Sequence, residues 1–221
     1  MKIGIIGTGH IGGNVARLLS AAGHDVVVSF SRDRAALDKL AGEIKARSGT
    51  PAEAAQHGEV VVLSVQWDVI DEAVKQAGGA AALAGKLVVD TTNQYGRVNG
   101  KFGPLALDGV SGARYNATRI PGATWTKTFN TLASKILASS AGKTGADRVV
   151  FFYATDDDAA APVVAQLVND AGFDPVRTGT LDRNEVGHQE PPGDLYNRVF
   201  HHDDAVTAVE KLRGTPPPTP A

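Results

Sequence analysis

The stretch Met1-Lys2-Ile3-Gly4-Ile5-Ile6-Gly7-Thr8-Gly9-His10-Ile11-Gly12 decides the fold of this chain. Its first half is the apolar run of a strand, and its second half fits G-x-G-x-x-G just where a helical pattern begins. In such a loop the first glycine allows a sharp turn, the second lets a pyrophosphate approach the backbone, and the third lets helix and strand pack closely. The helix start offers free N–H groups to phosphate. The sequence therefore predicts a dinucleotide site; the alternative is a glycine turn that holds no ligand. The predicted cofactor-binding residues of this loop are Gly7, Thr8, Gly9, His10, Ile11 and Gly12.

Further along the chain, short apolar runs alternate with helical patterns. The runs at residues 26–30, 59–65 and 87–90 are rich in valine, and near-continuous apolar strands indicate a parallel sheet covered by helices on both faces. We therefore predict an α/β protein with a Rossmann-type doubly wound parallel sheet and a small C-terminal α/β extension. The predicted parts are an NADP-binding domain over residues 1–138 (the cofactor is argued below), a small C-terminal domain over residues 139–213 and a disordered tail over residues 214–221, with a long loop over residues 91–112.

Composition excludes several classes of protein. The 221 residues include no cysteine and carry a formal net charge of −2. Disulfides, cysteine-ligated metals and a cysteine nucleophile are therefore excluded, and no basic surface for nucleic acid or an anionic membrane is expected. The six histidines show no metal-ligand spacing such as H-E-x-x-H, so no metal site is expected. Neither a secretory signal nor a membrane-spanning apolar run is recognisable, and we expect a cytoplasmic protein.

The end of the second predicted strand indicates which nicotinamide cofactor binds. Enzymes that prefer NAD usually place an acidic residue about 20 residues after the glycines, where it accepts from the ribose 2′-hydroxyl. Here the strand ends at Ser29-Phe30-Ser31-Arg32 without a carboxylate, and Asp33 is interpreted as the cap of the next helix. Ser31 can donate to a 2′-phosphate, the planar guanidinium of Arg32 can clamp it, and Arg34 adds a second positive charge. These residues predict NADP as the cofactor; the alternative is that Arg32 is an ordinary exposed arginine.

Three further segments follow predicted strands, and ligands of open parallel sheets bind beyond the carboxyl ends of the strands. At the first, Ser64 and Val65 can line the adenosine and ribose, and Trp67 either covers the cofactor or packs into the core. At the other two, Asn93 and Asn130 can each donate and accept, which suits the carboxamide or carbonyl edge of a ring; each could instead be a turn residue. These five are predicted cofactor-binding residues, and no residue is assigned a catalytic role.

With these residues the chain resembles the NADPH-dependent deazaflavin reductases, also called NADPH:F-420 oxidoreductases, over residues 3–197. The similar segments are residues 1–12, 31–32, 61–67, 127–131, 154–158 and 179–181. The resemblance implies a homodimer in which a small C-terminal domain closes a cleft. It also implies direct hydride transfer between the nicotinamide C4 and the C5 of coenzyme F-420, a co-substrate, with no nucleophile required.

Two alternatives stay open. Archaeal members of this family commonly carry a histidine where Asn130 stands, which favours an NADPH-dependent reductase of another acceptor, such as an imine, a carbonyl or a quinone-like compound. The lack of a side chain clearly committed to chemistry fits a non-catalytic NADPH-binding module instead. The expected partner of the enzyme is a small-molecule hydride acceptor, and neither nucleic acid nor a membrane.

Overall fold

The computed structural model describes residues 1–220. Within them lie the strands β1 (Lys2–Ile6), β2 (Asp25–Ser29), β3 (Arg47–Ser48), β4 (Val60–Leu63), β5 (Leu87–Asp90), β6 (Tyr95–Val98), β7 (Lys101–Pro104), β8 (Thr124–Lys127), β9 (Val150–Thr155) and β10 (Asp174–Gly179). The α-helices are α1 (His10–Ala21), α2 (Arg34–Glu43), α3 (Pro51–His57), α4 (Ile70–Gln76), α5 (Ala80–Leu83), α6 (Gly112–Arg119), α7 (Ser134–Ser140), α8 (Ala161–Asp170), α9 (Arg183–Val186) and α10 (His202–Leu212). None of these helices is long and apolar enough to cross a membrane.

Eight of the strands form one sheet in the order β10-β9-β8-β5-β4-β1-β2-β3. The six strands from β8 to β3 in this order are all parallel. Their order is that of the Rossmann fold, whose ligand crevice lies beyond the carboxyl ends of the strands, at the switch point between β1 and β4. The predicted fold class is therefore confirmed.

The last two strands of the chain extend the same sheet. Strand β9 pairs with β8 in the antiparallel direction, and β10 lies parallel to β9. The predicted C-terminal α/β extension thus continues the edge of the Rossmann sheet. The division into parts at residue 139 stays a prediction.

The parallel strands are apolar because helices cover both faces of the sheet. Ile3 and Ile5 of β1 point into a core shared with α1 and α8, whereas Ile6 points into the core on the other face, shared with α3. Gly4 has no side chain because α3 packs directly on it, and a Cβ there would overlap the carbonyl oxygen of Ala54. This close packing fixes the strand from whose end the phosphate loop leaves.

The prediction of a long loop over residues 91–112 is wrong in part, because the segment contains the two-stranded hairpin β6–β7. Asn99 and Gly100 form its turn with positive φ angles of 51° and 79°, and Asn-Gly is the pair that such tight turns favour. The flanking strands include Gly96 and Gly103 and lack the apolar alternation by which a strand is recognised.

Part of the predicted disordered tail is in contact with the rest of the chain. Pro217 is buried, and the carbonyl oxygen of Thr215 lies 3.0 Å from Nε2 of His188. Ala221 lies outside the described residues. For the other tail residues, disorder stays a prediction.

Candidate cofactor site

The glycines of the phosphate loop differ in the space around them. Gly7 has a φ of 107°, and a Cβ there would overlap the backbone of Ser64. A Cβ on Gly12 would overlap the carbonyl oxygen of Gly7, so α1 lies directly against the end of β1. At Gly9 no atom of the described chain lies within 4 Å of an added Cβ. The loop therefore turns at Gly7, packs at Gly12 and leaves open space at Gly9.

Helix α1 begins at the crevice with its first-turn amides uncapped. Among the described residues no side chain accepts from these amides, and the first turn contains no acidic residue. Four other helices do have side-chain caps, namely Asp33 for α2, Thr50 for α3, Ser111 for α6 and Asp182 for α9. The amides of α1 are thus available to an anion, which the helix dipole favours. Of the other loop residues, His10 is exposed, Thr8 is half-buried, and Ile11 packs against the core.

Strand β2 leads to the residues predicted to recognise a 2′-phosphate. Asp33 accepts from the amide of Ala36 at a distance of 3.1 Å, which confirms its interpretation as a helix cap. The hydroxyl of Ser31 donates to the Asp33 carbonyl oxygen. The guanidinium of Arg32 donates to Oε1 of Gln66, 3.3 Å away and beyond the end of β4. Because β1 lies between β2 and β4, Arg32 reaches across the crevice above the phosphate loop.

Arg32 and Arg34 differ in their partners. Nε of Arg34 lies 3.0 Å from a carboxylate oxygen of Asp38, one turn along α2. Hydrogen bonds from Ser48 and Arg34 hold the pKa of Asp38 below its usual range, so this carboxylate is ionised and offsets the charge of Arg34. Within residues 1–220 Arg32 pairs with no carboxylate; its side chain contacts the neutral Gln66. Arg32 is therefore the one of the two whose charge is available to a phosphate.

The residues predicted beyond β4 divide into two groups. Ser64 and Val65 are half-buried and lie beside the phosphate loop. Trp67 is 9% exposed; its ring stacks on Tyr115 with centroids 5.8 Å apart, and the guanidinium of Arg119 lies 5.3 Å from its centroid. The ring of Trp67 is thus packed within the protein, and its role toward a cofactor stays a prediction.

Asn93 and Asn130 form a pair of amides at the ends of β5 and β8. Nδ2 of Asn93 donates to the Asn130 carbonyl oxygen at 2.9 Å, and Nδ2 of Asn130 donates to Oδ1 of Asn93 at 3.0 Å. Nδ2 of Asn130 also donates to the Gln189 carbonyl oxygen at 2.7 Å. Both hydrogens of the Asn130 amide are therefore used. Exchanging its oxygen and nitrogen would place Oδ1 of Asn130 against Oδ1 of Asn93 and the Gln189 carbonyl oxygen.

This arrangement leaves two polar atoms without partners. Oδ1 of Asn130 and the hydroxyl of Thr131 are buried and have no hydrogen-bond partner within residues 1–220. An unsatisfied buried polar atom costs about 1–3 kcal/mol. The amide pair thus leaves one acceptor oxygen without a donor within residues 1–220.

A buried charged cluster next to this pair was missed by the sequence analysis. Lys127 and Asp90 are fully buried, with Nζ of Lys127 3.0 Å from Oδ2 of Asp90 and 3.6 Å from Oε1 of Glu190. Nζ also donates to the Thr92 carbonyl oxygen. Asp90 ends β5 and Lys127 ends β8, each three residues before one of the two asparagines. That repeated position is the signal by which the sequence could have indicated the cluster.

Glu190 joins α6 to this cluster. Its two carboxylate oxygens accept from the amides of Gly112 and Ala113 in the first turn of α6, each at 2.7 Å. Burial raises the pKa of Glu190, and the charge of Lys127 and the two amides oppose that rise. Because the adjacent Gln189 accepts from Asn130, the segment Gly187–Gln189 and the following glutamate hold the amide pair in place.

Comparisons with known proteins cover this site. Residues 2–94 match the family described as NADP oxidoreductase, coenzyme F420-dependent, which confirms the resemblance for the part of the chain that ends just after Asn93. A hypothetical protein from Sinorhizobium meliloti has a similar structure, with a TM-score of 0.79 and 29% identity over 92% of this chain and 97% of that chain. A proposed F420-dependent NADP reductase from Arthrobacter sp. FB24 has a TM-score of 0.71 and 27% identity over 82% of this chain and 86% of its own.

More distant structures share the fold alone. An imine reductase from Myxococcus stipitatus in complex with NADP⁺ has a TM-score of 0.60 and 17% identity, over 82% of this chain and 56% of that chain. The search of curated proteins found no match.

Proposed function

We propose that this NADP-dependent oxidoreductase transfers a hydride between NADPH and a deazaflavin of the coenzyme F420 type. The family match and the Arthrobacter reductase confirm the prediction of an NADP-dependent oxidoreductase. The acceptor is the proposal. Its main support is that the family whose members use coenzyme F420 matches the segment that carries the phosphate loop, Arg32 and Asn93.

The described residues fit NADP(H). Gly9 leaves the space that a pyrophosphate needs, and the uncapped amides of α1 face that space. The free charge of Arg32, which reaches across the crevice, suits a 2′-phosphate. When bound, the nicotinamide supplies the hydride. The residues of the chain hold the pyrophosphate and the 2′-phosphate of the cofactor and fix the direction of the nicotinamide ring.

Asn130 is the residue that we assign to the nicotinamide ring. Its Oδ1 is fixed as a free acceptor, and the carboxamide of nicotinamide carries an NH₂ donor. A single hydrogen-bond acceptor in a fixed position determines which way the carboxamide points. It therefore determines which face of the nicotinamide ring meets the hydride acceptor. The buried position of Asn130, 4% exposed, keeps water from the hydride.

Hydride transfer between two flat rings requires positioning and the exclusion of water, and no nucleophile. The site offers a fixed amide pair held from behind by Gln189 and by the buried charges of Lys127 and Glu190. Such a rigid polar edge can hold the nicotinamide ring in a fixed position against a second stacked ring. This agreement supports direct transfer between nicotinamide and deazaflavin.

Transfer of isotopic label tests the proposal. The purified chain is mixed with a 5-deazaflavin and NADPH that carries deuterium on one face of C4. We expect the visible absorbance of the deazaflavin to bleach and deuterium from one face of NADPH to appear at C5 of the product. Asn130→Ala should slow the transfer, whereas Asn184→Ala, at an exposed position in α9, should not. Absence of bleaching across a range of pH values contradicts the proposal.

A second candidate keeps NADPH and changes the acceptor to an imine, a carbonyl or a quinone-like compound. It is favoured by Asn130, which stands where archaeal members of the resembling family carry a histidine. Steady oxidation of NADPH with a cyclic imine, together with an unbleached deazaflavin, would favour this second candidate over hydride transfer to a deazaflavin.

A further inference from the structure

We propose that the hairpin β6–β7 binds the hydride acceptor by stacking a flat conjugated ring on Phe102 and pairing an anionic tail with Arg97. The inference rests on the proposed function only in calling this ligand the acceptor. The binding site itself follows from the position, the exposed ring and the charge of the hairpin.

The hairpin starts beside the amide pair. The backbone amide of Tyr95, its first residue, donates to the Asn93 carbonyl oxygen at 2.8 Å. Tyr196 lies against Tyr95 with ring centroids 6.5 Å apart. The next residue, Asn197, donates its amide to the Thr131 carbonyl oxygen at 2.7 Å. Two tyrosine rings therefore flank the edge of the sheet that we assign to the nicotinamide.

Phe102 provides an open aromatic surface on this hairpin. It stands opposite Arg97 in the antiparallel register, and Pro104 stands opposite Tyr95, so these four side chains share one face of the ribbon. The rings of Phe102 and Tyr95 stack with centroids 5.6 Å apart and planes 12° apart, yet Phe102 is 70% exposed. The ring face turned away from Tyr95 is thus free to stack on another flat ring.

The hairpin carries positive charge without negative charge. Arg97 and Lys101 are exposed, and residues 95–104 contain no aspartate or glutamate. Arg97 donates only to the Gly100 carbonyl oxygen, and neither cation forms an ion pair within residues 1–220, in contrast to Arg114, which pairs with a carboxylate. Arg97 shares the face of Phe102, whereas Lys101 stands opposite Val98 on the other face. An anionic group of a ligand stacked on Phe102 would therefore meet the unshared charge of Arg97.

These charges argue for a small anionic ligand over a second copy of the chain. A two-fold interface sets the same patch of both copies together, and hairpin against hairpin would bring like charges into contact. A ring with a phosphate or carboxylate tail complements both the aromatic surface and the charge.

Two flavin probes that differ only in the tail test this inference: flavin mononucleotide, which has a phosphate, and riboflavin, which has none. Binding is measured by quenching of flavin fluorescence on the full chain saturated with NADP⁺. We expect the mononucleotide to bind more tightly than riboflavin. Phe102→Ala should weaken both by about tenfold, and Arg97→Gln should remove the difference between the two probes.

Two control variants keep the test specific. Val98→Ala removes an apolar side chain that is 46% exposed on the opposite face of the same hairpin, and Lys211→Ala removes an exposed charge in α10. Both should leave flavin binding unchanged, and all variants should bind NADP⁺ as the parent does in calorimetry.

Several results would overturn the inference. Absence of quenching up to millimolar probe, equal binding of both probes by the parent chain, or parental binding by Phe102→Ala would each do so. A sedimentation coefficient that falls in Phe102→Ala while flavin binding persists would assign the patch to contact between copies. Bound flavin mononucleotide without any hydride transfer to a deazaflavin would contradict the proposed function and leave the hairpin site standing.

Discussion

A methyl group added at either of two glycines of the phosphate loop should have different effects: at Gly9 on cofactor binding, and at Gly12 on stability. Gly9 has a φ of −67°, which any residue adopts, and open space around it. We expect Gly9→Ala to change the free energy of unfolding by no more than about 1 kcal/mol and to weaken NADPH binding by about tenfold or more, because the methyl group fills the space of the pyrophosphate. Gly12→Ala should lower the free energy of unfolding by more than about 4 kcal/mol, since its Cβ would overlap backbone.

Urea unfolding and calorimetry with NADPH, on the same two preparations, check this pair. Each variant serves as the control of the other. If Gly12→Ala is as stable as the parent, α1 does not pack on the loop as described. If Gly9→Ala binds NADPH normally, the pyrophosphate lies elsewhere.

We expect Arg32 to determine the choice between NADPH and NADH in this site. A hydrogen bond to a charged group contributes about 1.5–3 kcal/mol, so Arg32→Ala should weaken NADPH by about 10–100-fold and NADH hardly at all. The matched control is Arg17→Ala in α1, whose guanidinium lies 2.8 Å from Glu43. Calorimetric titration of both cofactors gives the two ratios. Equal weakening of NADPH and NADH would show that Arg32 does not contact the 2′-phosphate.

At the scale of elements, Lys127 ties the ends of β5 and β8 to α6. Lys127→Met would leave Asp90 and Glu190 buried without a counter-ion, and we expect a loss of about 3–5 kcal/mol in the free energy of unfolding. Adding Asp90→Asn should recover part of that loss. Lys135→Met, at an exposed position in α7, should change stability by no more than about 0.5 kcal/mol. Urea denaturation measures all four chains, and a Lys127→Met variant as stable as the parent would contradict the charge pairing.

The packing of the hairpin on the C-terminal part is visible in alkaline titration. Burial and the hydroxyl of Tyr95 raise the pKa of Tyr196, and burial also raises that of Tyr153. Titration at 295 nm should therefore show two of the four tyrosines ionising late, and Tyr196→Phe should leave one. Above about pH 10 the unfolded chain loses a proton that folded Tyr196 keeps, so stability falls as pH rises, and less steeply in Tyr196→Phe. An unchanged number of late tyrosines in that variant would contradict the contact.

How far the sequence predicts these elements depends on the range of the contacts that form them. The phosphate loop and the Asp33 cap depend on neighbouring residues, and both lie where the pattern predicts. The Asn99-Gly100 turn and the capping box from Thr50 to Glu53 are also local signals. The hairpin was not predicted from its turn because the glycine-containing strands on either side lack the apolar alternation of a strand. Glu190 could not be assigned, because it meets α6 and Lys127 only through the fold.

At the scale of the whole molecule, the two predicted parts of the chain share a sheet and a core. Phe129 follows β8, Phe151 lies in β9, and Phe173 precedes β10; their rings meet edge to face with centroids 5.3 Å and 4.6 Å apart. A single cooperative transition is therefore expected, in which damage to the C-terminal strands is transmitted to the N-terminal sheet.

The positions of the tryptophans make this transmission measurable. Both tryptophans, Trp67 and Trp125, lie before residue 139. Trp67 packs on Tyr115, and Trp125 belongs to the core cluster that also contains Ala154 and Leu181. Their fluorescence therefore reports the first part and its contact with the second, whereas far-ultraviolet circular dichroism reports the whole chain. Phe151→Ala should lower the free energy of unfolding by about 3–5 kcal/mol with coincident transitions in both signals. Val199→Ala, at a 48% exposed position, should shift neither. If the fluorescence midpoint of Phe151→Ala stays at the parental value while the dichroism shows two steps, the parts unfold separately and the shared phenylalanine core does not couple them.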